Sequence, residues 1–420
     1  MKQRYNELTE DLCCLAVKNW LKGKWRRREC LRLIEEYAGI PQREIIKELD
    51  SGGHVLKDEA VKNLGYEVYN RLIRLTQGKA NALDLDPVTF EPRRDGMSGK
   101  LRDIAQLCAF HQIYNHLLAL GVMPLLKAKL LPSQFASIPR RGQNGLKKYF
   151  VKKLRKKSLD IRHARKTDVI KAYPNAKYSV IIDYLKAEIP SAKWIIILLT
   201  ELAKMSPTGS LIIGGYIDAW LFNYLMSYAL RYAKEQHKIR RGKKTPLIKV
   251  VGSFMDDFGF MGSRDADIKR DIKLVDEFLS RKMNLKLKYG KHTEFLTIAG
   301  EKERRKETSP ARRACPFLDL GGYRMTFTHV TVRKPIFRRV RRSFLRAGVE
   351  LKATGKLSIQ RARSVVCFFG YFKNTDSIKA RRKYDADHLH AVARYTVSQY
   401  QKYKNRRNIL NEKDRTNVTA

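Results

Sequence analysis

Leu247-Ile248-Lys249-Val250-Val251-Gly252-Ser253-Phe254-Met255-Asp256-Asp257-Phe258-Gly259-Phe260-Met261 sets two adjacent carboxylates between short apolar runs. Each run is too short for an ordinary helix and is rich in Val, Ile and Phe, so the segment reads as a β-hairpin with Asp256 and Asp257 at its tip. Two like charges held there repel unless a cation neutralises them. An isolated aspartate pair is more simply a solvated turn or a helix cap. A third aspartate upstream, Asp168, shifts the reading toward bound metal.

Outward from the hairpin, the order of elements becomes diagnostic. Residues 166–169 read as a short strand with Asp168 near its end, 179–188 as a helix, and 217–233 as a longer helix with Trp220, Leu221, Tyr224 and Leu225 on one face. After the hairpin, Ile268, Ile272, Val275, Phe278 and Leu279 recur at helical spacing over 266–282, and 285–288 returns as a strand. This β-α-β-β-α-β order is that of a ferredoxin-like sheet, in which the first strand lies beside the hairpin and brings Asp168 toward Asp256. Carboxylates on neighbouring strands bridge two Mg²⁺ ions roughly 3.5–4 Å apart, one activating an attacking hydroxyl and the other steadying a leaving pyrophosphate. Mg²⁺ suits such a site because it is hard, prefers oxygen and leaves positions open for phosphates and water. Asp168 and Asp256 are the expected ligands, with Asp257 a secondary ligand or an orienting neighbour.

The flanks are basic. Lys and Arg number 86 against 42 Asp and Glu, a formal net charge of +44 over 420 residues, far beyond what solubility needs. Because the cations run through the whole chain, they imply a polyanionic partner, nucleic acid before a membrane surface. Residues 8–75 carry helical periodicity, 84–99 reads as a Pro-, Gly- and Arg-rich loop, Lys100 to Ile104 as the start of an amphipathic helix reaching about Leu120, and 136–143 as a second loop. A 43% hydrophobic content supports two or three subdomains with their own cores. No apolar leader opens the chain, and the longest apolar run, near 194–199, cannot span a bilayer, so a cytoplasmic location is expected. Cys13, Cys14, Cys30, Cys108, Cys315 and Cys367 lack zinc-ligand spacing and read as reduced structural thiols.

The residues now resemble a known family, the bacterial reverse transcriptases of the retron, group II intron and diversity-generating-retroelement group, over most of the chain. Asp168-Val169-Ile170-Lys171-Ala172-Tyr173 resembles the first palm motif. The resemblance implies that Asp168, with Val169 beside it, belongs to the metal set and that Tyr173 is the steric gate against a ribose 2′-hydroxyl. Phe254-Met255-Asp256-Asp257 resembles the third, usually written with Tyr first. Lys100-Leu101-Arg102-Asp103-Ile104 resembles the fingers motif whose arginine, here Arg102, contacts the triphosphate, and Arg140-Arg141-Gly142-Gln143 the fingers loop that follows. Lys291, or Lys288 by a slipped alignment, sits where the family places a lysine near pyrophosphate. Leu320-Gly321-Gly322-Tyr323 resembles the primer grip, and Arg333, Arg338, Arg339, Arg341 and Arg342 a phosphate-contacting thumb helix. The second palm motif departs. Gly214-Gly215-Tyr216-Ile217-Asp218-Ala219 carries Asp218 where serine is expected, setting a negative charge near the nucleic acid or capping a helix.

The resemblance implies an α+β right-hand polymerase: an N-terminal helical region at 1–76, fingers at 77–165, a ferredoxin-like palm at 166–325, and a helical thumb with a basic tail at 326–420. Asp168, Asp256 and Asp257 would be catalytic, with two Mg²⁺ ions, Mn²⁺ being the substitute. Arg102, Tyr173, Gly214 and Lys291 would bind nucleotide. Arg140, Arg141, Gly321, Tyr323, Arg338, Arg339, Arg341 and Arg342 would bind an RNA template and a DNA or RNA primer. The expected activity is cDNA synthesis from deoxynucleoside triphosphates in a diversity-generating or other retroelement. The alternatives are a defence enzyme with a dedicated noncoding RNA, or a weakly polymerising RNA-binding scaffold. A small accessory protein fits the first of these roles. No endonuclease, zinc-binding or protease segment is recognisable after the thumb.

Overall fold

The computed structural model describes residues 4–79, 81–95, 99–309 and 311–417, with side chains to residue 403. Helices α1 (Glu10–Leu21), α2 (Arg28–Ala38), α3 (Gln42–Ser51) and α4 (Val55–Thr76) precede strands β1 (Thr89–Arg94) and β2 (Leu101–Gln106). Then come α5 (Ala109–Lys129), α6 (Gly142–Leu154), β3 (His163–Val169), α7 (Ala172–Asn175), α8 (Tyr178–Glu188), α9 (Lys193–Lys204) and α10 (Tyr216–Glu235). Next are β4 (His237–Arg240), β5 (Lys243–Pro246), β6 (Val250–Phe254), β7 (Asp257–Gly262), α11 (Asp265–Met283) and β8 (Leu287–Glu294). The chain closes with α12 (Ile298–Arg304), β9 (Leu318–Leu320), β10 (Tyr323–Met325), β11 (Val330–Val332), α13 (Lys334–Thr354), α14 (Ile359–Lys373), α15 (Ile378–Lys383) and α16 (Ala386–Asn417). The protein is thus mixed α and β, as expected.

Two compact units form, one from residues 1–139, 168–237 and 270–288, the other from 140–167, 238–269 and 289–420. Both are discontinuous, because the division follows packing whereas the regions expected from the sequence follow chain order. In the first unit, α1 lies against α4 so closely that a Cβ at Gly65 would sit 2.4 Å from Cys14 Sγ. Trp20 is fully buried and donates to Gln112 of α5 at 3.1 Å. The buried guanidinium of Arg71 pairs with Glu67 at 2.6 Å and lies 3.9 Å from the Phe110 ring centroid, so its burial is compensated twice.

A four-stranded sheet runs in the order β6-β7-β3-β8. By chain position that is 2-3-1-4, the expected β-α-β-β-α-β sheet with its first strand beside the hairpin. Val250 pairs with Met261, Val251 with Phe260, and Phe254 with Asp257 in the antiparallel hairpin. Buried Val250, Val251, Phe258 and Phe260 fix that register, since a one-residue slip would turn them to the other face. Gly290 of β8 is indispensable, because a Cβ there would lie 1.6 Å from the carbonyl oxygen of Lys166 on β3. A smaller sheet, β11-β10-β9, and helices α13 to α16 complete the second unit.

Three local expectations are corrected. The stretch expected as a loop over 84–99 contains β1, and the expected helix from Lys100 is instead β2, paired residue for residue with β1 from Thr89↔Gln106 to Arg94↔Leu101. The helix starts only at Ala109. The last strand of the large sheet spans Leu287–Glu294 rather than 285–288, so Lys291 lies within it. Among the described residues no helix is long and apolar enough to cross a membrane, and all six cysteines are free. Burial pushes the Cys13 and Cys30 thiols up to about 12, which keeps them protonated and inert.

Candidate active site

In the second unit the hairpin turn consists of Met255 and Asp256 alone, because Phe254 and Asp257 pair directly. Met255 sits at φ +58, where Asn or Gly is usual and a thioether side chain costs about 1 kcal/mol. Strain of this kind gathers at functional turns. Asp256 occupies the tip and Asp257 opens β7, both half-buried. Lys166 Nζ of β3 lies 2.7 Å from Asp257 Oδ1, a pair with no signal in the local sequence around the hairpin. An ammonium drawn to this carboxylate is the local answer to two adjacent negative charges. The donors are carboxylate oxygens only, which suits a hard cation such as Mg²⁺ and not zinc. Among the described residues no group of three or more His, Cys, Asp and Glu side chains is arranged to hold a metal ion.

The same sheet carries a polar network that sequence reading missed. Arg165 grips Asp265 in a two-point contact, Nε to Oδ1 at 2.7 Å and Nη2 to Oδ2 at 2.8 Å. His292 Nε2 lies 3.4 Å from Asp265 and 3.3 Å from His163 Nδ1. The Arg165 contact holds the Asp265 carboxyl down at about 2, while burial pushes the His292 imidazole below its ordinary value. The only sequence signal was the run His163 to Asp168, in which polar residues dominate a strand.

Lys291 is exposed on β8, its Nζ 5.7 Å from the Phe317 ring centroid, and Arg324 lies against the same ring at 4.4 Å. Gly321 (φ +58) and Gly322 (φ +86) form the tight turn between β9 and β10, and a Cβ on Gly321 would lie 2.4 Å from Leu146 of α6. Tyr323 is 3% exposed, against Tyr371 with centroids 5.8 Å apart, so its ring supports this turn from inside. Burial pushes its phenol up to about 12. Arg140 (φ +65) is exposed and Arg141 half-buried ahead of α6. The first turn of α6 is tied to α14 by Tyr371 Oη donating to Gln143 at 3.1 Å. On α13, Ile336, Val340, Ser343, Phe344 and Ala347 face inward. Arg338, Arg341 and Arg342 are exposed and Arg339 half-buried, with Arg341 Nε donating to the Tyr384 hydroxyl at 3.1 Å.

In the first unit, Asp168 is half-buried near the end of β3, and Val169 beside it is 2% exposed, leaving only its backbone carbonyl as a donor. Lys171 (φ +44) turns the chain into α7, where the Tyr173 ring stacks on buried Phe222 with centroids 5.6 Å apart and planes 16° off parallel. That stack fixes the ring as a wall. Arg102 on β2 is half-exposed, 3.9 Å from Asp95. Gly214 (φ +128) abuts the same strand: a Cβ there would lie 2.8 Å from Ala105 O, and Ala105 N donates to Ile213 O at 2.8 Å. The segments carrying Arg102 and Gly214 are therefore one assembly.

Asp218 does not reach toward solvent. It is 1% exposed in the first turn of α10, accepts hydrogen bonds from the Tyr178 hydroxyl and from Ile212 N at 3.2 Å, and folds over Gly215, where a Cβ would lie 1.7 Å from its Oδ2. Burial pushes its carboxyl up to about 6 although both donors oppose the shift. Asn115 of α5 caps the same helix through Ile217 N at 3.2 Å. Asp218 is thus an internal latch on the Gly214 loop and adds no negative charge to the surface. No protein-family model matches the sequence, and no curated protein matches it.

Proposed function

We propose that the protein is an RNA-directed DNA polymerase with a right-hand fold and a ferredoxin-like palm, its catalytic carboxylates being Asp168, Asp256 and Asp257. The observation that carries the reading is the 2-3-1-4 strand order, in which β7 neighbours β3. Mg²⁺ held by those carboxylates would supply hydroxyl activation and charge neutralisation for nucleotidyl transfer. Arg102 balances the charge of the incoming triphosphate. Tyr173, immobilised on Phe222, leaves no room for a 2′-hydroxyl and so selects deoxynucleotides. Gly214, whose missing side chain lets its loop pack on Ala105, would present that loop's backbone to the nucleotide. Lys291 stands by for pyrophosphate, and Arg140, Arg141, Arg338, Arg339, Arg341 and Arg342 hold template and primer through phosphates.

Burial of Asp218 keeps that carboxyl off the surface, and the net charge of +44 fits an RNA-binding scaffold as well as a polymerase. Retroelement, defence and other biological roles share this chemistry. The reading is tested by primer extension on an RNA template with Mg²⁺ and deoxynucleotides. Template-directed extension is expected, and its absence on RNA and DNA templates alike would refute the proposal.

A further inference from the structure

The hairpin β4–β5 has no part in the site described above. Its sequence, His237-Lys238-Ile239-Arg240-Arg241-Gly242-Lys243-Lys244-Thr245-Pro246, holds five Lys and Arg and no acid. Arg241 (φ +48) and Gly242 (φ +73) form the two-residue connection, both left-handed as in the primed turns whose twist matches a β-ribbon. Lys238 anchors the base of the ribbon to Asp267 in the first turn of α11. Beyond that anchor Arg240, Arg241, Lys243 and Lys244 are all exposed, and among the described residues none of the four has an ion-pair partner. Four unpaired cations within five residues repel one another, an arrangement that a polyanion relieves. Ile239 is 78% exposed and, by strand alternation, faces away from Lys238 and Arg240.

We propose that this ribbon docks a nucleic-acid duplex, entering a groove with cations directed to the phosphates on either side and Ile239 against the sugar and base edges within. A duplex is favoured over a single strand for two reasons. Single-strand sites use aromatic stacking platforms, and the residues beyond the anchor include no aromatic side chain. Successive cations on a pleated strand also alternate between faces, which suits two backbones flanking the ribbon better than one strand lying on it. The inference rests on the nucleic-acid half of the proposed function and not on its chemistry.

The test compares the full chain with a variant carrying Arg240→Gln, Arg241→Gln, Lys243→Gln and Lys244→Gln. A control of equal charge loss carries Lys18→Gln, Arg43→Gln, Lys47→Gln and Lys62→Gln, all exposed residues of the N-terminal helices. Binding of a fluorescent RNA–DNA hybrid, and of its RNA strand alone, is titrated against salt. The ribbon variant is expected to lower the slope of log affinity against log salt for the hybrid by about 3–4, near one per lost phosphate contact, with the control moving it by less than about 1. Equal losses in both variants would overturn the proposal in favour of diffuse charge, and a greater loss for the single strand would overturn the duplex assignment. Binding is read without turnover, so hybrid that is bound but never extended would count against the polymerase reading while leaving the docking result standing.

Discussion

Replacing Asp218 separates a structural latch from a motif defect. The carboxyl is fully buried and its pKa is raised from 3.8 to about 6, which amounts to about 3 kcal/mol favouring the protonated form in the folded state. A carboxyl whose folded pKa is raised gives its full contribution to stability below the unfolded value near 4, and that contribution is lost as pH rises through about 6. Asparagine keeps an acceptor for Tyr178 and Ile212 without the charge. Asp218→Asn should therefore be more stable than the parent at pH 7, by up to about 3 kcal/mol, and about equal to it at pH 4. Serine is too short to reach either donor, and leaving both unpaired costs about 2–4 kcal/mol relative to asparagine at either pH. Expected stability at pH 7 is asparagine above aspartate, with serine within about 1 kcal/mol of aspartate; at pH 4 serine falls clearly last. Chemical unfolding at the two pH values, with hydrogen exchange at the Ile212 amide as a local monitor, reads the order. Serine ranking first at pH 7, with Ile212 still protected, would refute the latch.

Three further outcomes follow from the geometry. Gly290→Ala would place a methyl group within 1.6 Å of Lys166 O, and forcing the strands apart should destabilise the second unit by about 3 kcal/mol or more, seen as a lowered thermal midpoint. Tyr173→Ala should relax discrimination against ribonucleotides by at least about tenfold in relative kcat/KM, and unchanged discrimination would remove Tyr173 from the gate role. Lys166→Gln removes the ammonium that pairs with Asp257, so half-maximal primer extension should need less Mg²⁺, read from a Mg²⁺ titration; a higher requirement would mean that Lys166 supports the site.

Much of the sheet was legible in the sequence because its signals are local. Val250, Val251 and Phe258 are apolar and strand-forming, the aspartate pair breaks the run at the tip, and the stripe from Ile268 to Leu279 has an unmistakable helical period. The β1–β2 hairpin was not legible. Leu101, Ile104 and Ala105 fit helical spacing over a span too short to exclude a strand, and what decides the matter is pairing with residues 89–94, which periodicity cannot report. The last strand reads as ending at Lys288, whereas β8 runs on to Glu294, with Gly290 admitting the close approach of Lys166. The candidate aspartates were recognisable as chemistry. Lys166 beside Asp257 and Tyr178 over Asp218 were not, because each partner arrives from another element.

The most direct test of the central claim is primer extension on an RNA template with Mg²⁺ and deoxynucleotides by the parent protein beside Asp168→Asn and Asp256→Asn, with hybrid binding measured on all three. The account predicts extension by the parent and a loss of at least about a thousandfold in each variant, with binding kept within a few fold. Extension that survives both substitutions would contradict it.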